Sequence, residues 1–454
     1  MIQRGVQFHV FVCGHVAVET WILEYDSESL PHFVRCRPRV ETVDLKRPGC
    51  GLQQRCEHLN GGRLPGAVGA KKREDFACAH FKGNVIDCRE IAKTLNEILN
   101  PDHRCPVPIP TLINTKRCSL ELSTDIFEVM KAAFIERPGP PEEIRYGDFE
   151  APVPGPNQIL VKVRAVTVDP VDTYIRSARY VVPMPLPFII GRDMAGEVQA
   201  VGPGVTRFSP GQHVWCNNQG YGGRQGTFAE FVAVDEELLY HLPDGIDYQA
   251  AVAAVHSGLT ACTGLRIAGA KEGETLFVNG GSGNVGSAVL QFARANGLRA
   301  IATAGSAEKL ARCMEAGAER AINYKSDDIS AAARAFAPEG VDVYWDFAPQ
   351  PDFERAIPLL KHRGRMIVMT GFTAHPTFPT GTFYTKDCSL YGFAITNASA
   401  DELRRCADEI NRLLEAGVLK AKIDRVLPLA DAAQAHRTIE QHGSELNGKI
   451  VLVP

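Results

Sequence analysis

The chain has 454 residues, 45% of them hydrophobic and 22% charged, and a formal net charge of -4. At about 100–200 residues per domain, this length predicts two to four domains with substantial cores. The averages exclude collagen-like, coiled-coil and wholly disordered chains, no uninterrupted apolar run is long enough to span a membrane, and the mildly acidic balance disfavours general phosphate-backbone binding.

Residues 1–129 differ from the rest. Eight of the 13 cysteines (Cys13, Cys36, Cys50, Cys56, Cys78, Cys88, Cys105 and Cys118) lie there, with 17 basic against 16 acidic side chains. The remainder carries 32 basic against 37 acidic residues. No Cys-x-x-Cys pair is present in the segment, which disfavours structural zinc. The apolar run Val6–Val18 is broken by His9 and His15 and followed by Glu19 and Glu24, which makes it a poor export signal, and the acids also argue against a mitochondrial presequence. The basic cluster Lys71-Lys72-Arg73 runs directly into Glu74-Asp75 and reads as a solvated run. Apart from a weak helical pattern near Ile91–Leu99, no apolar period is sustained. The segment is therefore expected to be a disordered extension of unknown role, read through from upstream, with Met130 as the original beginning; a protein starting at Met130 is expected to fold and work as the full chain does.

From Met130 the patterning is strong. Val161–Val166, the alternating Gly196–Val201, a turn at Gly202-Pro203-Gly204-Val205 and Gly211–Trp215 predict an irregular β domain, a distorted barrel. Tyr248–Leu265 reads as helix. Strands and helices then alternate: strands at Thr275–Asn279, Ala300–Thr303, Ala321–Tyr324, Val341–Phe347, Arg365–Thr370 and Leu390–Ile395, with helices at Asn284–Asn296, Ala307–Ala316, Ile329–Phe336 and Phe353–His362. That βαβ series predicts a doubly wound parallel sheet, so the fold class is α/β. Helices at Ala400–Ala416 and Leu429–His442 and a strand at Lys449–Val453 close the chain.

Gly281-Ser282-Gly283-Asn284-Val285-Gly286 is a G-x-G-x-x-G turn between a predicted strand and the helix it opens, the context dinucleotide binding requires. Gly281 allows the tight turn, Gly283 lets backbone approach a pyrophosphate, and Gly286 allows close packing of helix on strand. The helix N-terminus adds N–H donors and the positive end of the dipole. An NAD site usually places an acid about 20 residues further on, to hold the ribose 2′-OH. Here the second strand ends Thr303-Ala304-Gly305-Ser306 with no acid, and Lys309 follows in the first turn of the next helix. A 2′-phosphate would offset the lysine's unfavourable position on the dipole, and Ser306 can both cap the helix and donate to that phosphate. NADPH is therefore the expected cofactor, with a solvated Lys309 as the alternative.

Asp172-Thr173-Tyr174-Ile175-Arg176-Ser177, the Gly191–Val198 stretch, Val201-Gly202, the glycine loop and Gly448-Lys449-Ile450 together resemble the zinc-independent quinone oxidoreductases (zeta-crystallin-like) of the medium-chain dehydrogenase/reductase superfamily. The resemblance covers residues 130–454. It implies a GroES-like catalytic domain (130–255 and 393–454) with an inserted Rossmann domain (256–392) that binds NADPH, and homodimers or homotetramers. Zinc-dependent relatives carry Gly-His-Glu where this chain has Gly191-Arg192-Asp193, and a ligand cysteine where it has Val168-Asp169-Pro170, so no metal is expected. Cys216 and the four other cysteines of this region read as scattered reduced thiols of a cytoplasmic protein.

By the same resemblance, Tyr174 and Tyr180 line the nicotinamide and substrate cleft, where a phenol can hydrogen-bond an acceptor oxygen and supply a proton. Tyr324 matches a cofactor-contacting tyrosine, and Phe372 and Phe393 match residues near the nicotinamide; core packing is the alternative for each. Asp169 stands where the family commonly has Asn, and Asn284 where it usually has Gly. The expected activity is NADPH-dependent hydride transfer to a quinone-type acceptor. Reduction of activated C=C bonds in enones or enoyl thioesters is the second enzyme reading, and an NADPH-binding structural or RNA-binding protein is the reading from another class. The acidic balance of residues 130–454, without basic–aromatic interleaving, argues against dedicated nucleic-acid recognition.

Overall fold

The computed structural model describes residues 129–369, 373–443 and 445–454, together with four short strands nearer the N-terminus. Those four pair as two antiparallel ribbons, Val6–Phe8 with Trp21–Leu23 and Val16–Glu19 with Val40–Val43. The disorder expected for the rest of the extension lies outside the described residues. Two units divide the chain, Met1–Leu120 and Glu121–Pro454.

In the second unit, the strand Gln158–Val168 organises one sheet. Ile159, Val161 and Val163 alternate inward, and from Ala165 both faces are buried, as a strand covered on both sides requires. Met194–Val201, His213–Cys216 and Leu239–His241 follow on one side. On the other side lies the final strand, Lys449–Val453, antiparallel with Ile450 opposite Val168 and Leu452 opposite Val166. The end of the chain thus returns to the first sheet and sets residue 449 beside residue 169. A smaller sheet joins Val129–Ile135 to Arg145–Glu150 and Phe188–Ile189.

The six-stranded parallel sheet runs from Thr275–Asn279 to Ser389–Tyr391. Counted along the chain within that sheet, its strand order is 3-2-1-4-5-6, with Leu276 between Ala300 and Val343. This is the doubly wound order of a dinucleotide fold, and its crevice lies where the order reverses, at the carboxyl ends of strands 1 and 4. The helix after the glycine loop runs Asn284–Ala295 and buries Val289 and Phe292 completely against the sheet, worth about 1.5–3 kcal/mol each.

Three details differ from the sequence reading. The helix expected over Phe353–His362 ends at Leu359, one residue after Pro358, and the chain passes straight into the strand Leu360–Val368. Pairing then skips from Leu360 to Arg365 through a bulge with Arg363 at φ 62°. The strand expected over Leu390–Ile395 covers only Ser389–Tyr391 and gives way to a single turn at Ile395–Asn397. Finally, the five cysteines are not all separate thiols. Cys262, on the helix Tyr248–Ile267, forms a disulfide with Cys406, on the helix Ala400–Glu415, with their Cα atoms 5.7 Å apart. The packing of two helices far apart in the chain creates the pair, which spacing alone does not reveal.

Candidate active site

The first part of the site is the glycine loop. A Cβ on Gly281 would lie 2.6 Å from Ala302 Cβ, and one on Gly286 would lie 2.4 Å from the Gly280 carbonyl oxygen. Both glycines are required by close packing. Gly283 meets only the Gly280 oxygen at 3.5 Å and is exposed, so its backbone is open to a ligand. A buried chain of hydrogen bonds fixes the loop from below. Gly280 N–H donates to Thr303 Oγ1 at 2.9 Å, Thr303 donates to Asn279 Oδ1 at 2.8 Å, and Asn279 Nδ2 donates to Asp346 Oδ1 at 2.8 Å. These residues end strands 1, 2 and 4, so the network sits at the crevice.

Ser282, Gly283 and Asn284 line a cavity of about 1190 Å³ that also reaches Lys309, Tyr174 and Lys449. Seven Lys or Arg side chains line it against two Glu, a field suited to a ligand with several phosphates. Ser306 caps the helix Ala307–Ala316 by accepting from Lys309 N–H, leaving its hydroxyl proton for another acceptor. The Tyr324 ring is 53% exposed, and its hydroxyl lies over Gly305, where a Cβ would approach it to 2.4 Å. Asn284 is exposed at the first position of the loop helix, while Val285 packs into the core.

The expected tyrosines face different surroundings. Tyr174 lines the cavity, with the Arg179 guanidinium 4.7 Å from its ring centre. Tyr180 instead stacks on Tyr221 at 6.5 Å, and burial pushes its phenol pKa up. Phe393 packs edge-on against buried Trp345 at 6.2 Å. Phe372 lies outside the described residues.

The second part is a buried charge cluster; the sequence motifs contained Asp169, Asp172, Asp193 and Lys449 but did not bring them together, and His256 was not singled out. Asp169 is 2% exposed and does not line the cavity; Val168, Pro170 and Lys449 beside it do. Its Oδ1 accepts from Lys449 Nζ, its Oδ2 accepts from Thr167 Oγ1 at 3.2 Å, and the same oxygen lies 3.7 Å from His256 Nδ1. Asp193, fully buried, holds His256 Nδ1 at 2.9 Å through Oδ2 and accepts from Asn217 Nδ2 through Oδ1. Burial opposes the charge on Asp169, but His256 and Lys449 hold its carboxyl well below the usual carboxylate range. Burial and the Asp169 charge push Asp172 up to about 8.

The donor atoms of Asp169, Asp193 and His256 lie within 4.8 Å of one another. The expectation of no metal rested on these positions failing to bring three donors together; they do converge, through His256. Yet the Lys449 ammonium and the Asn217 amide already occupy the carboxylates, which makes the group an ion-pair cluster. Two signals for it were present in the sequence: a lysine inside the apolar strand Lys449–Val453, and a lone histidine in the apolar helix Tyr248–Ile267.

With this geometry, the chain matches the alcohol dehydrogenase GroES-like domain over residues 155–244 and the zinc-binding dehydrogenase family over residues 284–412. It is 34% identical over 332 residues to the quinone oxidoreductase of Mus musculus, covering 72% of this chain and 98% of that protein. The quinone oxidoreductase of Pseudomonas aeruginosa is 32% identical over 325 residues, covering 70% and 97%. The crystal structure of Escherichia coli quinone oxidoreductase complexed with NADPH aligns with a TM-score of 0.63 at 27% identity, over 71% of this chain and all of that one. No helix among the described residues is long and apolar enough to cross a membrane. The chain therefore belongs to the zinc-independent, quinone oxidoreductase-like family of the medium-chain dehydrogenase/reductase superfamily and is an NAD(P)-dependent oxidoreductase.

Proposed function

We propose that this enzyme uses NADPH to reduce quinone-type acceptors without a metal. The observation that carries the cofactor choice is the end of the second Rossmann strand. Gly305 and Ser306 stand where an NAD site would carry an acid, Tyr324 lies over Gly305, and Lys309 faces the basic cavity. An acid there would repel a 2′-phosphate; these groups can hold one.

When bound, the cofactor supplies the hydride. The Gly281–Gly286 loop binds the pyrophosphate through backbone N–H groups, while Ser306, Lys309 and Tyr324 take the 2′-phosphate. Asn284 adds an amide at the loop. Tyr174, on the cavity wall, and Tyr180, beside Tyr221, flank the acceptor side and can polarise an oxygen as charge develops. Phe372 and Phe393 are assigned to the nicotinamide end, and Asp169 acts on that end through Lys449. The exposed Leu390 on the edge strand Ser389–Tyr391 supports a homodimer or homotetramer built on that edge, checked by sedimentation.

The test is NADPH oxidation by the full chain with phenanthrenequinone and with methyl vinyl ketone as acceptors. Faster turnover with the quinone is expected. Faster turnover with the enone assigns the enzyme to C=C reduction, and acceptor-independent NADPH binding without turnover assigns it to binding alone.

A further inference from the structure

We propose that His256 is the proton donor that completes reduction of the acceptor, delivering its proton from Nε2; this rests on the reductase reading above. The ring sits on the helix Tyr248–Ile267 among fully buried apolar neighbours, including Val252, Ala253 and Val255. A histidine in such a stretch is costly to charge unless something holds it. Here Asp193 does, at 2.9 Å from Nδ1, with Asp169 Oδ2 at 3.7 Å behind it. Asp193 cannot swing away. Its other oxygen accepts from Asn217, and its carbonyl accepts from Thr227 Oγ1 at 3.0 Å.

The two ring nitrogens are therefore unlike. Nδ1 is covered by Asp193, Asp169 and Asn217, the last at 3.2 Å. Nε2 makes no hydrogen bond among the described residues, and the side chain keeps 14% exposure. Its neighbour Asp169, with Oδ2 3.7 Å from Nδ1, sits beside Val168, Pro170 and Lys449, which line the cavity. Asn218, next to the Asn217 that touches the ring, donates from Nδ2 to the Ile395 carbonyl at 3.3 Å. Ile395–Asn397 is the turn that follows the last parallel strand at its carboxyl end, the side on which ligands of this fold bind.

The titratable and charged groups that face His256 come from several elements: Asp169 between its strand and helix, Asp193 before the strand Met194–Val201, and Lys449 on the final strand. Asp172 and Arg192 lie behind them. Burial works against the imidazolium, but the two carboxylates outweigh it and raise the pKa of His256 above its ordinary value. That direction favours the protonated ring from which a general acid starts.

The step balances simply. Hydride addition oxidises the nicotinamide cofactor and reduces the quinone by two electrons, leaving one acceptor oxygen anionic. The Nε2–H bond breaks, the O–H bond forms, and the neutral imidazole regains a proton from water. Tyr174 and Tyr180 polarise the acceptor, and His256 supplies the proton.

The test uses the full chain with phenanthrenequinone and methyl vinyl ketone, and two variants, His256→Gln and Asp193→Asn. His256→Gln is expected to lower kcat about 100-fold, to abolish the alkaline limb of the kcat pH profile, and to be partly rescued by added imidazole. NADPH affinity, read by quenching of protein fluorescence, is expected to stay within about twofold and shows that the variant is folded. Asp193→Asn is expected to move the alkaline limb to lower pH, since loss of the carboxylate destabilises the imidazolium; a merely structural role would leave the limb in place. A His256→Gln enzyme that binds NADPH normally, turns over within about threefold of wild type and keeps the alkaline limb overturns the proton-donor role alone. A wild-type chain that oxidises NADPH with neither acceptor overturns the reductase reading, and this role with it.

Discussion

Replacing Lys449 by Met removes the ammonium that neutralises Asp169 inside the first sheet. Both side chains are 3% exposed, so the carboxylate left behind has no water to solvate it. Methionine matches the length of the lysine stem and adds little strain. The loss is therefore electrostatic, and breaking a buried pair from one side costs about 3–5 kcal/mol. His256 at 3.7 Å and Thr167 at 3.2 Å remain to Asp169, which places the expected value at the lower end, about 3 kcal/mol near neutral pH. The sign with pH follows from linkage. In the wild type, the carboxyl pKa of Asp169 is depressed by folding, so its contribution is present above the unfolded value of about 3.9 and is lost as pH falls through the folded value. In Lys449→Met that depression shrinks, and protonation relieves the buried charge; the gap between variant and wild type should narrow between about pH 7 and pH 3, most of it below about pH 4. The double variant Lys449→Met with Asp169→Asn should recover most of the lost stability, because neither charge then remains. Urea unfolding at both ends of that pH range measures all three proteins. A Lys449→Met protein within about 1 kcal/mol of wild type near neutrality, or a gap that widens in acid, refutes the reasoning.

Two further predictions concern the cofactor. Lys309→Ala should raise the KM for NADPH about 10-fold or more, the loss of one charge-assisted contact, while leaving the KM for NADH unchanged; initial rates with each cofactor decide it, and an unchanged NADPH value removes Lys309 from the phosphate site. Gly286→Ala drives a methyl group to 2.4 Å from the Gly280 oxygen, so the loop and helix must separate. Dinucleotide binding should fall at least about 10-fold by fluorescence titration, with a lower Tm, whereas Gly283→Ala, which meets nothing closer than 3.5 Å, should retain the wild-type Tm.

Much of this enzyme was legible in the chain before it folded. The glycine loop, its flanking strand and helix, the missing acid after the second strand and the Ser306 cap are all local features. Each depends on residues within about one turn of one another, where backbone chemistry and hydrophobic period act directly. The ends of elements were less legible. Pro358 and the bulge at Arg363 moved the boundary between the helix Phe353–Leu359 and the strand Leu360–Val368, because sheet pairing rather than propensity decides where a strand begins.

Tertiary structure alone decided the charge cluster and the cysteine pair. Lys449 and Asp169 are 280 residues apart, and they meet only because the final strand pairs antiparallel to Gln158–Val168. His256 reaches Asp193 from a helix 63 residues later, and Cys262 reaches Cys406 across 144. The sequence by itself determined the glycine loop, since a turn is written in neighbouring residues. Which charges would be buried together, and which nitrogen of His256 would stay open, depended on strands and helices that become neighbours only when the core closes.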